Sequence, residues 1–184
     1  MAIKTFTTGE VLTASDTNTY LANSGLVYVG GVTVSGSTPI VDLGTCFNSS
    51  YDNYRIVINN VQASADLSLK FYLGTNATSG LHYGSVFYYQ YTGTSSGYAN
   101  SNGANSSYVG LTGSAAPNGS YFFDLTSPNL AKQKQFSATY NARNYSGWAG
   151  GLVADTAQYT SIKFINETGN ITAGTFRVYG YRQA

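Results

Sequence analysis

The 184-residue chain is long enough for one domain with a short appendage, and for a buried core that needs no covalent staple. Charged residues make up only 9%, against roughly 25% in an ordinary globular protein, and nine Lys/Arg against eight Asp/Glu leave a formal charge of +1. That balance offers no electrostatic footprint for nucleic acid or an anionic membrane, while 17 Tyr and 9 Phe exclude a disordered polar chain.

The first predicted element is helical. Thr13-Ala14-Ser15-Asp16 fits a helix start, with Thr13 as N-cap and Asp16 at the third helical position near the positive end of the dipole. The helix is expected to run to Ala22 or Asn23, with Gly25 just past its end. About ten residues cannot hold a helix alone in water, so packing through Leu12, Tyr20 and Leu21 is expected to hold it. Residues 1–25 therefore read as a docking arm, and 26–184 as the folded domain.

Beyond the arm, short β-type runs alternate with Gly/Asn/Ser turns. Strands are predicted at 26–34, 39–43, 54–61, 67–73, 86–91, 107–111, 120–126, 135–142, 148–154, 159–167 and 174–181. In YRIVINNV, Arg55, Val57 and Asn59 lie on one face and Tyr54, Ile56 and Ile58 on the other. In TFRVYGY, Phe176, Val178 and Gly180 oppose Arg177, Tyr179 and Tyr181. Such alternation requires one buried and one solvated face. So many short strands imply an all-β fold, an antiparallel β-sandwich of jelly-roll-like type with a short N-terminal helical arm. Residues 92–106, TGTSSGYANSNGANS, read as a long polar loop.

The sequence is poor in chemistry. His82 is the sole histidine, expected at a surface or an edge, and no G-x-S-x-G elbow precedes a helix. One His and one Cys cannot assemble the common zinc sets. Asp42, Asp52, Asp66, Asp124, Asp155 and Glu167 are scattered, with no D-x-D-x-D cluster for calcium. No enzyme, metal or cofactor is expected. Cys46, the one cysteine, reads as a small hydrophobe in or near a strand. No stretch reaches the roughly 18 apolar residues of a membrane span, and MAIKTFTTGE lacks the apolar run of a signal peptide.

What remains is surface recognition. Tyrosine gives a large contact area at low entropy cost, and amides supply adaptable hydrogen bonds. Tyr88, Tyr98, Asn100, Asn102, Tyr108 and Trp148 are the candidate surface for a glycan or partner. A near-neutral exterior of hydroxyls and amides also associates easily, so self-assembly is expected.

The start of the chain resembles the N-terminal segment of small structural proteins of tailed-bacteriophage virions, in the pattern F-x-x-G-x-V-L-T-A-x-x-x-N-x-Y-L. Phe6, Gly9, Val11, Leu12, Thr13, Ala14, Asn18, Tyr20 and Leu21 match it. CFNSSYDNYRIVINNV (46–61) and GNITAGTFRVYGYR (169–182) also resemble pieces of small phage β domains. The resemblance implies a virion subunit made in the host cytoplasm. It further implies a homotrimer displayed on the particle as a tail fibre or a capsid decoration. Phe6, Val11, Leu12, Thr13, Asp16, Asn18, Tyr20 and Leu21 would dock it to other virion proteins, and outward loops would face host glycans. The alternative from another class is a free carbohydrate-binding module.

Overall fold

The computed structural model describes residues 7–11, 13–16, 25–75, 77–91, 96–115 and 118–182. Among them the chain forms twelve strands. They are β1 (Leu26–Val34), β2 (Ile40–Asp42), β3 (Asn53–Ala63), β4 (Asp66–Leu73), β5 (His82–Gln90) and β6 (Ser96–Ala104). Then follow β7 (Ser107–Ala115), β8 (Gly119–Thr126), β9 (Lys134–Ala142), β10 (Tyr145–Val153), β11 (Ile162–Asn166) and β12 (Ile171–Tyr181). An eight-stranded sheet runs β1-β12-β3-β8-β9-β10-β5-β6, and a four-stranded sheet runs β2-β11-β4-β7. Every pairing is antiparallel, and the architecture is that of a β-sandwich.

The alternation read from sequence sets which face is buried. Tyr54, Ile56 and Ile58 are fully buried, while Arg55, Val57 and Asn59 on the same strand are half-buried on the opposite face. β9 repeats the pattern strictly: Lys134, Phe136, Ala138, Tyr140 and Ala142 point inward, and Gln135, Ser137, Thr139 and Asn141 outward. The inner faces of both sheets meet in one core. At its centre Phe71 of the small sheet lies edge-on to Phe123 and Phe136 of the large one, with ring centroids 4.8 and 4.9 Å apart. Phe164 joins Phe123 to Phe176 at 6.0 and 5.4 Å. Edge-to-face contacts of this kind add stabilisation beyond area burial.

Two polar side chains that enter the core are tied locally. The fully buried Tyr54 accepts a hydrogen bond from the Asn48 N–H at 2.8 Å and donates one to the Asn48 carbonyl at 2.9 Å, fixing the loop before β3. Asn166 accepts from the Ser68 N–H at 2.7 Å and donates to the Asp66 carbonyl at 2.9 Å, fastening β11 to β4. Cys46 is buried, and burial pushes its thiol up to about 12.

Two expectations are revised. Residues 96–104 are strand β6, not part of a long loop. The run SGYANSNGA carries one large apolar side chain, so no periodicity announces it; pairing with β5 through eight registered partners supplies the structure. His82 is not at the surface: it opens β5 with 2% exposure, its ring edge-on to Phe71 at 5.5 Å. Of the N-terminal helix, a single helical turn at Ala14–Asp16 is described, and residues 17–24 lie outside the described residues.

Candidate functional site: the outer face of the large sheet

The strands that extend the large sheet past β8 present an aromatic row to solvent. Register places Tyr98 opposite Phe87, Phe87 opposite Trp148, Trp148 opposite Thr139, and Thr139 opposite Phe122. Tyr98, Phe122 and Trp148 are 67%, 53% and 57% exposed. Phe87 stacks on Trp148 with centroids 4.3 Å apart and planes tilted by 28°, and Tyr98 follows at 6.0 Å and 32°. Adjacent strands sit about 4.8 Å apart, so these rings stand upright over their own strands, their faces turned along the row.

The row is interrupted over β9. Thr139 replaces a ring there, leaving a depression of about 500 Å³ between Trp148 and Phe122, floored by Ser137 and Thr139. Arg55 and Asp124 close one side of it. Arg55 Nε donates to Asp124 Oδ1 at 2.8 Å and Nη2 to Oδ2 at 2.7 Å, a two-pronged pair, and the Tyr181 hydroxyl donates to Oδ1 at 2.8 Å. Burial alone would raise the Asp124 carboxyl; the bonds from Arg55 and Tyr181 outweigh it and hold the group below its ordinary range. Asp124 therefore stays ionised at neutral pH, and the pair is electrically closed.

Of the residues singled out by sequence, Tyr98, Asn100, Asn102 and Trp148 share this exposed face. Asn100 lies opposite Ser85, and their side chains are hydrogen-bonded at 2.7 Å. Tyr88 and Tyr108 are not brought to it. Tyr88 is half-buried against the core, its ring 5.6 Å from that of Tyr145. Tyr108 sits on the small sheet, donating to Glu167 Oε1 at 2.7 Å beneath the Lys70 ammonium. Phe87, Phe122, Thr139, Arg55 and Asp124 were missed as site residues. Parity held the signal for Phe122: in SYFFDLT, Tyr121 and Phe123 face inward, which turns Phe122 out.

In the arm, Thr7–Glu10 close a turn. The Glu10 N–H donates to the Thr7 carbonyl at 3.0 Å and the Thr7 N–H to Glu10 Oε2 at 3.2 Å, with Gly9 at φ 89°. Val11 is 80% exposed, and Thr13 is exposed as well. Phe6, Leu12, Asn18, Tyr20 and Leu21 lie outside the described residues.

A second polar group is buried at the far end of β9 and β5. Lys134, with no exposed surface, donates to the Asp155 carbonyl and to Oδ1 at 3.4 Å each, and to the Ala157 carbonyl. The Tyr159 hydroxyl donates to Asp155 Oδ2, and its ring lies 5.1 Å from the ammonium. Desolvation lowers the Lys134 pKa while Asp155 opposes the fall, and the arrangement reads as a clamp on the loop after β10. Among the described residues no three His, Cys, Asp or Glu side chains gather around a common point. No protein-family model matches the chain, and no curated protein matches it either.

Proposed function

We propose that this chain is a non-enzymatic structural subunit of a tailed-bacteriophage virion, docked through residues 1–25 and displayed as a homotrimer. It would serve as a tail fibre or a capsid decoration. One observation carries the reading, together with the sequence resemblance at the N-terminus. Four long-range pairs, β1–β12, β2–β11, β3–β8 and β4–β7, nest inside one another. They split alternately between the two sheets. A single antiparallel hairpin of four rungs, rolled so that alternate rungs face each other, gives this order. It is the logic of a jelly roll, an architecture that recurs in viral capsid and lectin domains. The remaining strands, β5-β6 and β9-β10, are two hairpins set between consecutive strands of that roll, and they widen the large sheet on the side that carries most of the aromatic row.

The opposite side suits assembly. β1 and β2 are edge strands of their sheets, β1 follows the arm directly, and Leu26, Tyr28 and Ile40 there are 42%, 58% and 41% exposed. An uncovered apolar edge next to a short helix-forming arm is a natural contact for sister subunits and a docking partner. Removing residues 1–25 is the test. The truncated chain is expected to fold, with an unchanged β-type circular dichroism spectrum, and to be missing from particles. Incorporation at the full-length level would refute the docking role. A free carbohydrate-binding module is the second reading, favoured by the aromatic face alone; it requires a monomer.

A further inference from the structure

We infer that the slot between Trp148 and Phe122 binds one uncharged pyranose unit of a glycan, sandwiched between the two rings. The inference holds for a virion subunit and for a free module alike, so it does not rest on the assembly reading.

The stack defines the slot. One face of the Trp148 indole is covered by Phe87, on the β5 side. Its other face looks along the sheet over Thr139, toward Phe122 two strands away. Two strand spacings amount to about 10 Å. A planar aromatic ring between two others fills about 7 Å, from two contacts of about 3.5 Å each, and would leave the slot loose. A puckered sugar ring is thicker, because it carries hydrogens on both faces. Those C–H groups meet the negative π faces of Trp148 and Phe122.

The rim has the matching polarity. A pyranose turns its hydroxyls outward from the ring edge. Here the Ser137 and Thr139 hydroxyls form the floor, and the Asp124 carboxylate and Arg55 guanidinium stand at one side. The Asp124 carboxylate, already accepting three bonds, has one acceptor site left on Oδ2 for a hydroxyl, and the Arg55 guanidinium donates its remaining N–H groups to ring-edge oxygens. Charge argues for a neutral sugar. Arg55 and Asp124 neutralise each other, and β9, β10, β5 and β6 add no charged side chain to this face. A nucleic acid strand would need cations for its phosphates along that path. By contrast, the outer face of the small sheet is laced with Lys70–Glu167 and Lys163–Asp42 pairs at 2.5 and 3.1 Å and shows no comparable aromatic stack among the described residues.

Trp148 is the only tryptophan, so its emission reports the slot directly. The full-length protein would be titrated with methyl glycosides of glucose, galactose, mannose, rhamnose and N-acetylglucosamine. Sorbitol controls for hydroxyl content, and oligo-dT tests for nucleobases. At least one pyranoside is expected to give a saturable change with a dissociation constant of about 1 mM. Thr139→Tyr, which puts a ring into the slot, and Phe122→Ala, which removes a wall, are each expected to weaken it at least about tenfold, with unchanged thermal melting. Any of these binding results would overturn the inference: no pyranoside saturating below about 100 mM, an equal response to sorbitol, tighter binding of oligo-dT, or wild-type binding by both variants. An indole shielded from acrylamide in an oligomer and uncovered on dilution would overturn it too, by making this face an interface between copies.

Discussion

His82 has no partner for its buried Nδ1, and this makes the fold sensitive to its protonation. Burial lowers its pKa from 6.5 to about 4, with Asp155 opposing. Between those values the unfolded chain binds the proton and the folded chain does not, so acidification through this window favours unfolding. The contribution to stability is complete above pH 6.5 and shrinks by on the order of 3 kcal/mol by pH 4. Urea midpoints measured at pH 7.5 and 4.5 should differ accordingly, and His82→Phe should lose most of that difference. Asp124 and Glu167, both held below the ordinary carboxylate range, add a further loss at still lower pH. Lys134 poses a separate question, since a fully buried ammonium must be compensated by its acceptors. Lys134→Ala should cost about 3 kcal/mol, because it strands Asp155 and two carbonyls, and Lys134→Met, which keeps the stem volume, should cost less. Equal losses in urea unfolding would mean that the ammonium and its bonds, rather than the stem, hold the loop.

At the scale of elements, the close approach of β10 to β5 depends on side chains that are absent. A Cβ on Gly151 would meet the Tyr83 carbonyl oxygen and the Gly84 Cα, backbone atoms that cannot rotate away. Gly151→Ala should therefore destabilise by about 2–3 kcal/mol and loosen the sheet under Trp148, seen as a red shift of its emission together with an earlier melt. Wild-type melting in that variant would show that the two strands can separate at little cost. The same elements mark how far sequence reaches. β1 was legible to the residue, because LVYVGGVTV is apolar and bounded by Gly and Ser. β3 and β12 were legible through their alternation, which also predicted the outward placement of Arg55 and Arg177. β6 was not legible: buried Ser101 and exposed Tyr98 invert the usual pattern, and only the neighbouring strand specifies it. For the site, Trp148 and Tyr98 were visible as exposed ring types, whereas the slot was invisible. It exists because β8, β9 and β10 lie side by side in a register that puts Thr139 between Phe122 and Trp148, and strand order is not written in local periodicity.

For the whole molecule, low charge and two unlike sides frame the account. Exposed apolar residues at the β1–β2 edge lie beside the arm, and the aromatic row lies across the hairpins at the other end of the large sheet. A subunit that associates through the first side would leave the second outward. Light scattering on the full chain at micromolar concentration should give three chain masses, and a folded monomer would remove the trimer from the account. Double substitution of Leu26 and Tyr28 to Lys should convert the trimer to monomers while leaving pyranoside binding at Trp148 intact. The most direct measurement is electron microscopy of intact virions. The account predicts clusters of three β-sandwiches on the particle, joined to it by their N-terminal arms, with the Phe122–Trp148 slots facing outward. Purified particles that contain no copy of this chain would contradict it.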